Sequence, residues 1–233
     1  MMAKMSALIG VIACAGVGGV AAAVITRGPA SCDGVALTFD LCPVRDAPGF
    51  DQPLVDLLIE KQIPATFFVS GRWAVRHEEE LQRLLAVPFF EIGTHGQVHA
   101  HLPELDEDSQ RREIEAAVAL LRDRFGRATT LFRPPYGEYN ELTVQLADAL
   151  GLRVVLWNIV SGDPDPRLSQ DAIVTVVTER LRRGSIAVFH ANGKGRHTKA
   201  VIGNLAPMLA SRGLQPMTVS TLLDQCPHDI GRH

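Results

Sequence analysis

From Val35 onward, apolar runs of strand length alternate with amphipathic runs of helix length. The spacing predicts strands over Val35–Asp40, Ala65–Ser70, Phe90–His95, Thr130–Pro134, Arg153–Val160, Ser185–His190 and Gln215–Val219. Helices are predicted near Gln52–Gln62, Arg72–Ala86, Ser109–Phe125, Glu141–Leu150, Ser169–Arg183 and Lys199–Arg212, with a short last one over Ser220–Asp224. The strands are apolar at consecutive rather than alternate positions, as strands covered on both faces are, and helical crossovers between them imply a parallel sheet. Seven such units at roughly 30-residue spacing predict an α/β protein, a distorted and incompletely closed (β/α)7 barrel rather than an open doubly wound sheet.

In a parallel barrel the functional groups gather at the carboxyl ends of the strands. Asp40 ends the first predicted strand, His95 the third, Arg133 the fourth and His190 the sixth, and Asp163 follows the fifth in the loop SGDPDP. Each has an ordinary role as well: Asp40 as a cap, His95 and His99 as loop histidines beside His101, Arg133 and Asp163 as parts of turns. Converging on one mouth, they make a chemistry. Two neutral imidazoles four residues apart, in THGQVH, bind one divalent cation when the chain turns between them, and Gly96 makes that turn easy. Asp40, flanked by Phe39 and Leu41, suits a general base for a water activated by that cation. His190 suits the general acid, with Asp163 as the carboxylate that keeps it protonated. These two are expected at opposed strand ends.

With 233 residues and 46% hydrophobic content the chain has enough apolar material for one well-packed domain. The formal charge of −3 and the scattered positions of the 23 Lys and Arg residues point away from nucleic acid. The N-terminus differs in kind: Lys4 is followed by 22 uncharged residues, Met5–Thr26, long enough to cross a bilayer. Residues 1–30 therefore read as a signal peptide, with the Ala21–Ala23 cluster offering small residues for cleavage, or as a membrane anchor. Either exports residues 31–233 to a secreted, periplasmic or membrane-attached location. Export makes a Cys32–Cys226 disulfide the natural pairing, tying the two ends of the domain and leaving Cys42 free.

The motifs LTFDLCP, THGQVH, LFRPPYG, SGDP and IAVFH, in that order and at strand ends, resemble those of the polysaccharide deacetylases, the NodB homology family of chitooligosaccharide and peptidoglycan deacetylases. ATFFVSGRW and TVSTLL are also similar to family segments, so the likeness runs over about residues 33 to 224. The resemblance implies a distorted (β/α) barrel with Asp40 as catalytic base, His95 and His99 as metal ligands, and Arg133 positioning Asp40. It further implies His190 as acid, Asp163 tuning it, and the Tyr136 backbone amide at the oxyanion. The substrate class implied is an acetylated amino-sugar glycan of the cell wall or of chitin, and the cofactor a divalent metal, zinc first. The family's tryptophan after the fourth-motif aspartate is Pro164 here, which weakens that carry-over.

One departure matters more. The family's first motif is TFDDGP, and its second aspartate, a metal ligand, aligns with Leu41. Replacement donors are Cys42, Asp46 and Asp51, or Asp40 itself moved onto the metal. Strand alternation argues that a neighbour of Leu41 points away from the pocket, and Asp51, just before Pro53, suits a helix cap. Asp46 and Cys42 therefore rank level and Asp51 third; a carboxylate would keep an oxygen ligand, a thiolate would favour zinc. Alternatives from other classes are a metal-independent hydrolase of an imide or ureide, a catalytically weak glycan-binding relative, and a two-His, one-carboxylate iron oxygenase. The βα periodicity disfavours the last. With 2 tryptophans and 2 tyrosines the chain is poor in sugar-stacking rings, so no long polymer groove is evident.

Overall fold

The computed structural model describes residues 23–45 and 49–226. The N-terminal segment up to residue 22 and Asp46 lie outside the described residues. The strands are β1 (Gly34–Leu41), β2 (Ala65–Val69), β3 (Phe90–Thr94), β4 (Leu131–Phe132), β5 (Arg153–Val154), β6 (Ile159–Val160), β7 (Ile186–His190) and β8 (Gln215–Met217). The helices are α1 (Gln52–Glu60), α2 (Gly71–Arg76), α3 (Glu78–Leu85), α4 (Glu107–Phe125), α5 (Glu141–Ala149), α6 (Gln170–Arg180), α7 (Thr198–Ser211) and α8 (Val219–Asp224). Every ladder is parallel, in the order β5-β4-β3-β2-β1-β7-β6, with β8 on the N-terminal end of β1. This is the distorted (β/α) barrel that the apolar pattern predicts.

The predicted strand over Arg153–Val160 is interrupted. Its first residues pair with β4 and its last with β7, so one run of chain supplies both edges of the curled sheet. The reason is a side chain from the preceding strand end: Arg133 Nε donates to Val155 O and its terminal nitrogen to Leu156 O, withdrawing those carbonyls from the ladder. Ile25 covers the same seam by pairing with Val155 and accepting from Leu156 N, so the fold takes in residues ahead of the boundary expected at 31. The predicted helix over Arg72–Ala86 also breaks, at His77, whose ring stacks on Trp73 and bonds the Trp73 carbonyl. Glu78, Glu79 and Glu80 then open α3, where the N-terminal dipole favours acidic side chains.

β1 is buried along its whole length and sorts its residues by alternation. Leu37, Phe39 and Leu41 join the layer between sheet and helices, where Phe39 stacks between Phe67 and Phe189 at centroid distances of 5.4 and 5.7 Å. Ala36 faces the barrel interior with Phe68, Leu131, Val155 and Ile186, and α8 closes this cluster from below with Val219 and Leu222. Cys226, just after α8, forms a disulfide with Cys32, with the Cα atoms 5.5 Å apart. It closes a span of 194 residues and fixes the plug of the barrel to the entrance of β1. Long closed spans restrict the unfolded chain most. Cys32→Ser is therefore expected to lower stability by about 3 kcal/mol, read as an earlier midpoint in urea unfolding. A midpoint equal to that of the unaltered protein would show that this bridge does not hold the plug.

Candidate active site

The C-terminal end of β1 places Asp40 in the barrel mouth, where Arg133, wholly buried, meets it with Nη1 2.7 Å from Oδ1. The guanidinium lies 3.9 Å over the Phe68 ring and 5.2 Å from that of Trp157. Packing on both faces and three bonds to carboxylate and carbonyls leave it one position. Burial by itself would raise the Asp40 pKa, but the charge and hydrogen bond of Arg133, helped by the charge of His190, outweigh it and hold the carboxyl below its ordinary value.

His95, at the end of β3, donates its Nδ1–H to the carbonyl of Arg133 at 2.7 Å. A carbonyl can only accept, so the proton sits on Nδ1. Burial lowers the ring's pKa and keeps it neutral, which leaves a bare lone pair on Nε2. That nitrogen is buried without a hydrogen-bond partner, and Asp40 Oδ2 is 3.7 Å away. His99 reaches the same place through a turn in which Gly96 has φ +70° and His99 itself φ +67°. The Glu113 carboxylate from α4 holds this turn by accepting from Val98 N at 2.7 Å and Ala100 N at 3.2 Å. Burial and the neighbouring His95 push the His99 pKa down to about 3, so both imidazoles are neutral donors. Cys42 completes the group: one donor atom from each of Cys42, His95 and His99 lies within 4.8 Å of the others. Burial first, and then the Asp40 carboxylate, push the Cys42 thiol up.

On the adjacent strand β7, His190 is the register partner of Asp40, so the two side chains share a face. This corrects the expectation of opposed strand ends; parallel pairing of β1 with β7 brings them side by side. Asp163 accepts His190 Nδ1–H at 2.9 Å and its backbone N–H at 2.8 Å, while Ser161 Oγ and Thr198 Oγ1 donate to the same carboxylate at 3.0 and 2.7 Å. Burial lowers the His190 pKa, yet the hydrogen bond and charge of Asp163, helped by Asp40, outweigh it and leave the value raised. A cavity of about 330 Å³ opens over these groups, with Tyr136, Trp157, Val160 and Lys194 at its margin. Tyr136 sits in a 3-10 turn at φ +61°, stacked on His101 with the ring planes 2° apart. Gly137 has φ +73°, and a Cβ there would stand 2.8 Å from Trp157, so only glycine fits beneath the indole. A second cavity of about 540 Å³ at the opposite rim holds one carboxylate, Glu91, already bonded to Thr66 Oγ1 and Ser220 N.

The profile described as polysaccharide deacetylase matches residues 27–155, more than half of the chain. A chitooligosaccharide deacetylase of Sinorhizobium fredii is 30% identical over 201 residues, covering 81% of this chain and 91% of that protein. The chain belongs to the polysaccharide deacetylase family. A bifunctional xylanase/xylan deacetylase of Cellvibrio japonicus is 30% identical over 189 residues, 80% of this chain, which spans only 27% of that longer enzyme. The crystal structure of a peptidoglycan N-acetylglucosamine deacetylase superposes with a TM-score of 0.79 at 26% identity, covering 86% of this chain and 92% of that one. As a polysaccharide deacetylase the chain is a hydrolase of the class that acts on carbon–nitrogen bonds other than peptide bonds.

Within this deacetylase fold Asp40, His95, His99, Arg133, Asp163 and His190 all come to one mouth, as their strand-end positions predict. The candidates for a third donor separate. Asp51 caps α1, its Oδ1 accepting from Leu54 N at 3.0 Å, and Asp46 lies outside the described residues. Cys42 turns inward, against the expectation from alternation: Leu41 points into the helical layer, so the residue after it shares the face of Asp40. Three positioning residues carry no motif: Glu113, Thr198, and Asn192, whose Nδ2 donates to Cys42 O at 3.1 Å. Of these, only Glu113 had a signal, a carboxylate on the buried stripe of α4 beside Ile114 and Ala117.

Because the folded His190 pKa is raised, its protonation contributes stability that is fully present below the ordinary imidazole value of 6.5 and lost as pH rises through the folded value. NMR titration of the full chain should show His190 titrating above 6.5, and Asp163→Asn should move it downward. A His190 titration unmoved by that substitution would remove Asp163 from the role of tuning partner.

Proposed function

We propose that the chain removes N-acetyl groups from amino-sugar polymers or oligomers of the chitin or peptidoglycan kind. The observation that carries this reading is a pair of proton-transfer groups tuned in opposite senses on one face of adjacent strands. Asp40 is kept ionised, and His190 keeps its proton to higher pH. The names of the relatives supply the substrate class. The neutral nitrogens of His95 and His99, one of them buried and unpartnered, fit a divalent cation, with zinc favoured by the imidazole content. Such an ion, when bound, would lower the pKa of a water and polarise the acetyl carbonyl.

Arg133 occupies Asp40 Oδ1, so Oδ2 is the oxygen left to take a proton from the attacking water. As the water oxygen adds to the acetyl carbon, the Tyr136 backbone N–H donates to the oxyanion that develops. His190 Nε2 gives its proton to the amide nitrogen, the C–N bond breaks, and acetate and a free amine leave. Asp163 holds Nδ1 of the same ring, which aims Nε2 at the cavity. At the margin Tyr136 and Val160, each 52% exposed, and Trp157 offer apolar surface to a sugar ring. That short platform suits an oligomer or one segment of a chain.

Asp40→Asn keeps a hydrogen bond to Arg133 but cannot accept the proton. Acetate release from N-acetylglucosamine oligomers or peptidoglycan should fall about 100-fold or more, with the circular dichroism spectrum unchanged. Near-unaltered release would sink the assignment. Leu41 favours the metal-independent hydrolase of another C–N bond, and that reading takes over if His95→Ala leaves metal content and turnover intact.

We also propose that the enzyme works outside the cytoplasm, as a secreted, periplasmic or membrane-attached protein. The uncharged run Met5–Thr26 supports this, and so does the disulfide, which persists in an oxidising compartment. Residues from Ile25 already pair with the barrel, so a cut after the Ala21–Ala23 cluster would leave the folded unit intact. Cell fractionation should recover the protein in the envelope or the medium. Full-length protein found only in the soluble cytosol would refute export.

A further inference from the structure

We infer that Cys42 is the third protein ligand of the metal centre, giving a two-imidazole, one-thiolate site in place of the carboxylate that Leu41 has lost. The inference rests on the reading of His95 and His99 as metal ligands. Among the described residues, the donor atoms of Cys42, His95 and His99 form the one group of such side chains gathered closely enough to hold an ion, all within 4.8 Å of one another. Independently, His95 Nε2 is buried with its lone pair unmet, and Nδ1 is fixed on the Arg133 carbonyl, so the free nitrogen has nowhere to turn. Among the described carboxylates, Asp51 is held by the first turn of α1 and Asp163 by four donors, while Asp40 gives Oδ1 to Arg133 and keeps Oδ2 for the proton of the attacking water.

The physical cause is the pleat of β1. Leu37, Phe39 and Leu41 face the helices, while Asp40 and Cys42 line the cavity. A donor at residue 42 therefore reaches the mouth from the strand that supplies the base, one position beyond the apolar replacement. Asn192 Nδ2 holds the Cys42 carbonyl, fixing the backbone from which Sγ projects. In a tetrahedral site with metal–nitrogen and metal–sulfur bonds of about 2.0 to 2.3 Å, donors stand roughly 3.5 Å apart, so the group need contract by only about 1 Å. The thiol would bind as thiolate, its proton passing to solvent. One sulfur with two nitrogens selects zinc, cobalt or cadmium over manganese or magnesium, and three protein ligands leave a fourth position open to the cavity.

The test uses the purified full chain, stripped of metal and titrated with Co2+ and then Cd2+. The expected result is a thiolate-to-metal charge-transfer band that saturates at one equivalent. Cys32 and Cys226 are paired and contribute none, and a band that survives in Cys42→Ser comes from Cys14 and overturns the inference. Cys42→Ser should abolish the band and weaken metal affinity about 10-fold or more, with near-UV circular dichroism of the metal-free protein confirming its fold. Cobalt bound without the band, or no cobalt bound at all, overturns the inference, and neither result depends on the variant folding. Acetate release by the same unaltered preparation separates this from the proposed reaction: a band without release upholds the ligand and refutes the reaction, and release without a band does the reverse.

Discussion

A guanidinium with no access to water occupies the centre of the barrel mouth, and most of the site follows from how Arg133 is satisfied. Its charge is met by Asp40, two further donors by the carbonyls of Val155 and Leu156, and its plane lies against the rings of Phe68 and Trp157. Removing one partner of a buried pair of this kind costs about 3 to 5 kcal/mol, because the other charge is left uncompensated. The same residue thus interrupts the strand over Arg153–Val160, seals the seam of the sheet, and keeps a carboxylate ionised inside a protein. Through its backbone carbonyl it also sets the tautomer of His95.

That arrangement explains how two titrating groups on one face acquire opposite protonation states. Asp40 and His190 are register partners on β1 and β7, close enough for each to favour the charged form of the other. Arg133 dominates on one side and Asp163 on the other, so burial, which opposes both charges, loses in each case. Asp163 accomplishes this with all its lone pairs engaged, by His190, Ser161 and Thr198. The turns that carry His99 and Tyr136 place a non-glycine residue at positive φ, and each is held from outside, the first by Glu113 and the second by stacking on His101 and the close approach of Gly137 to Trp157.

The departure at residue 41 is absorbed by the same geometry. A leucine at the end of a fully buried strand turns to the helical layer, where Phe39 and Trp73 already pack. Its neighbour is thereby committed to the mouth. An apolar residue at position 41 consequently does not empty the mouth of donor atoms, because the Cys42 sulfur stands beside His95 and His99.

The sequence by itself determined the barrel, because consecutive apolar residues in a strand and a stripe in a helix are dictated by burial on two faces or one, and neither depends on distant partners. It also determined the identity of the mouth residues, since strand-end position is a local property that Asp40, His95, Arg133 and His190 share, and the four-residue spacing from His95 marks His99. Tertiary structure decided the rest. The splitting of the strand over Arg153–Val160 depends on a side chain some twenty residues away, and the pairing of Asp40 with His190 on a ladder between residues 150 apart. Thr198 and Asn192 act through single hydrogen bonds across elements, which leave no periodic trace, and the two bonds of Glu113 show what its place on the buried stripe of α4 is for. The direction of Cys42 was settled by which face of β1 meets the helices, a choice that the packing of Leu41 makes and that alternation alone leaves open.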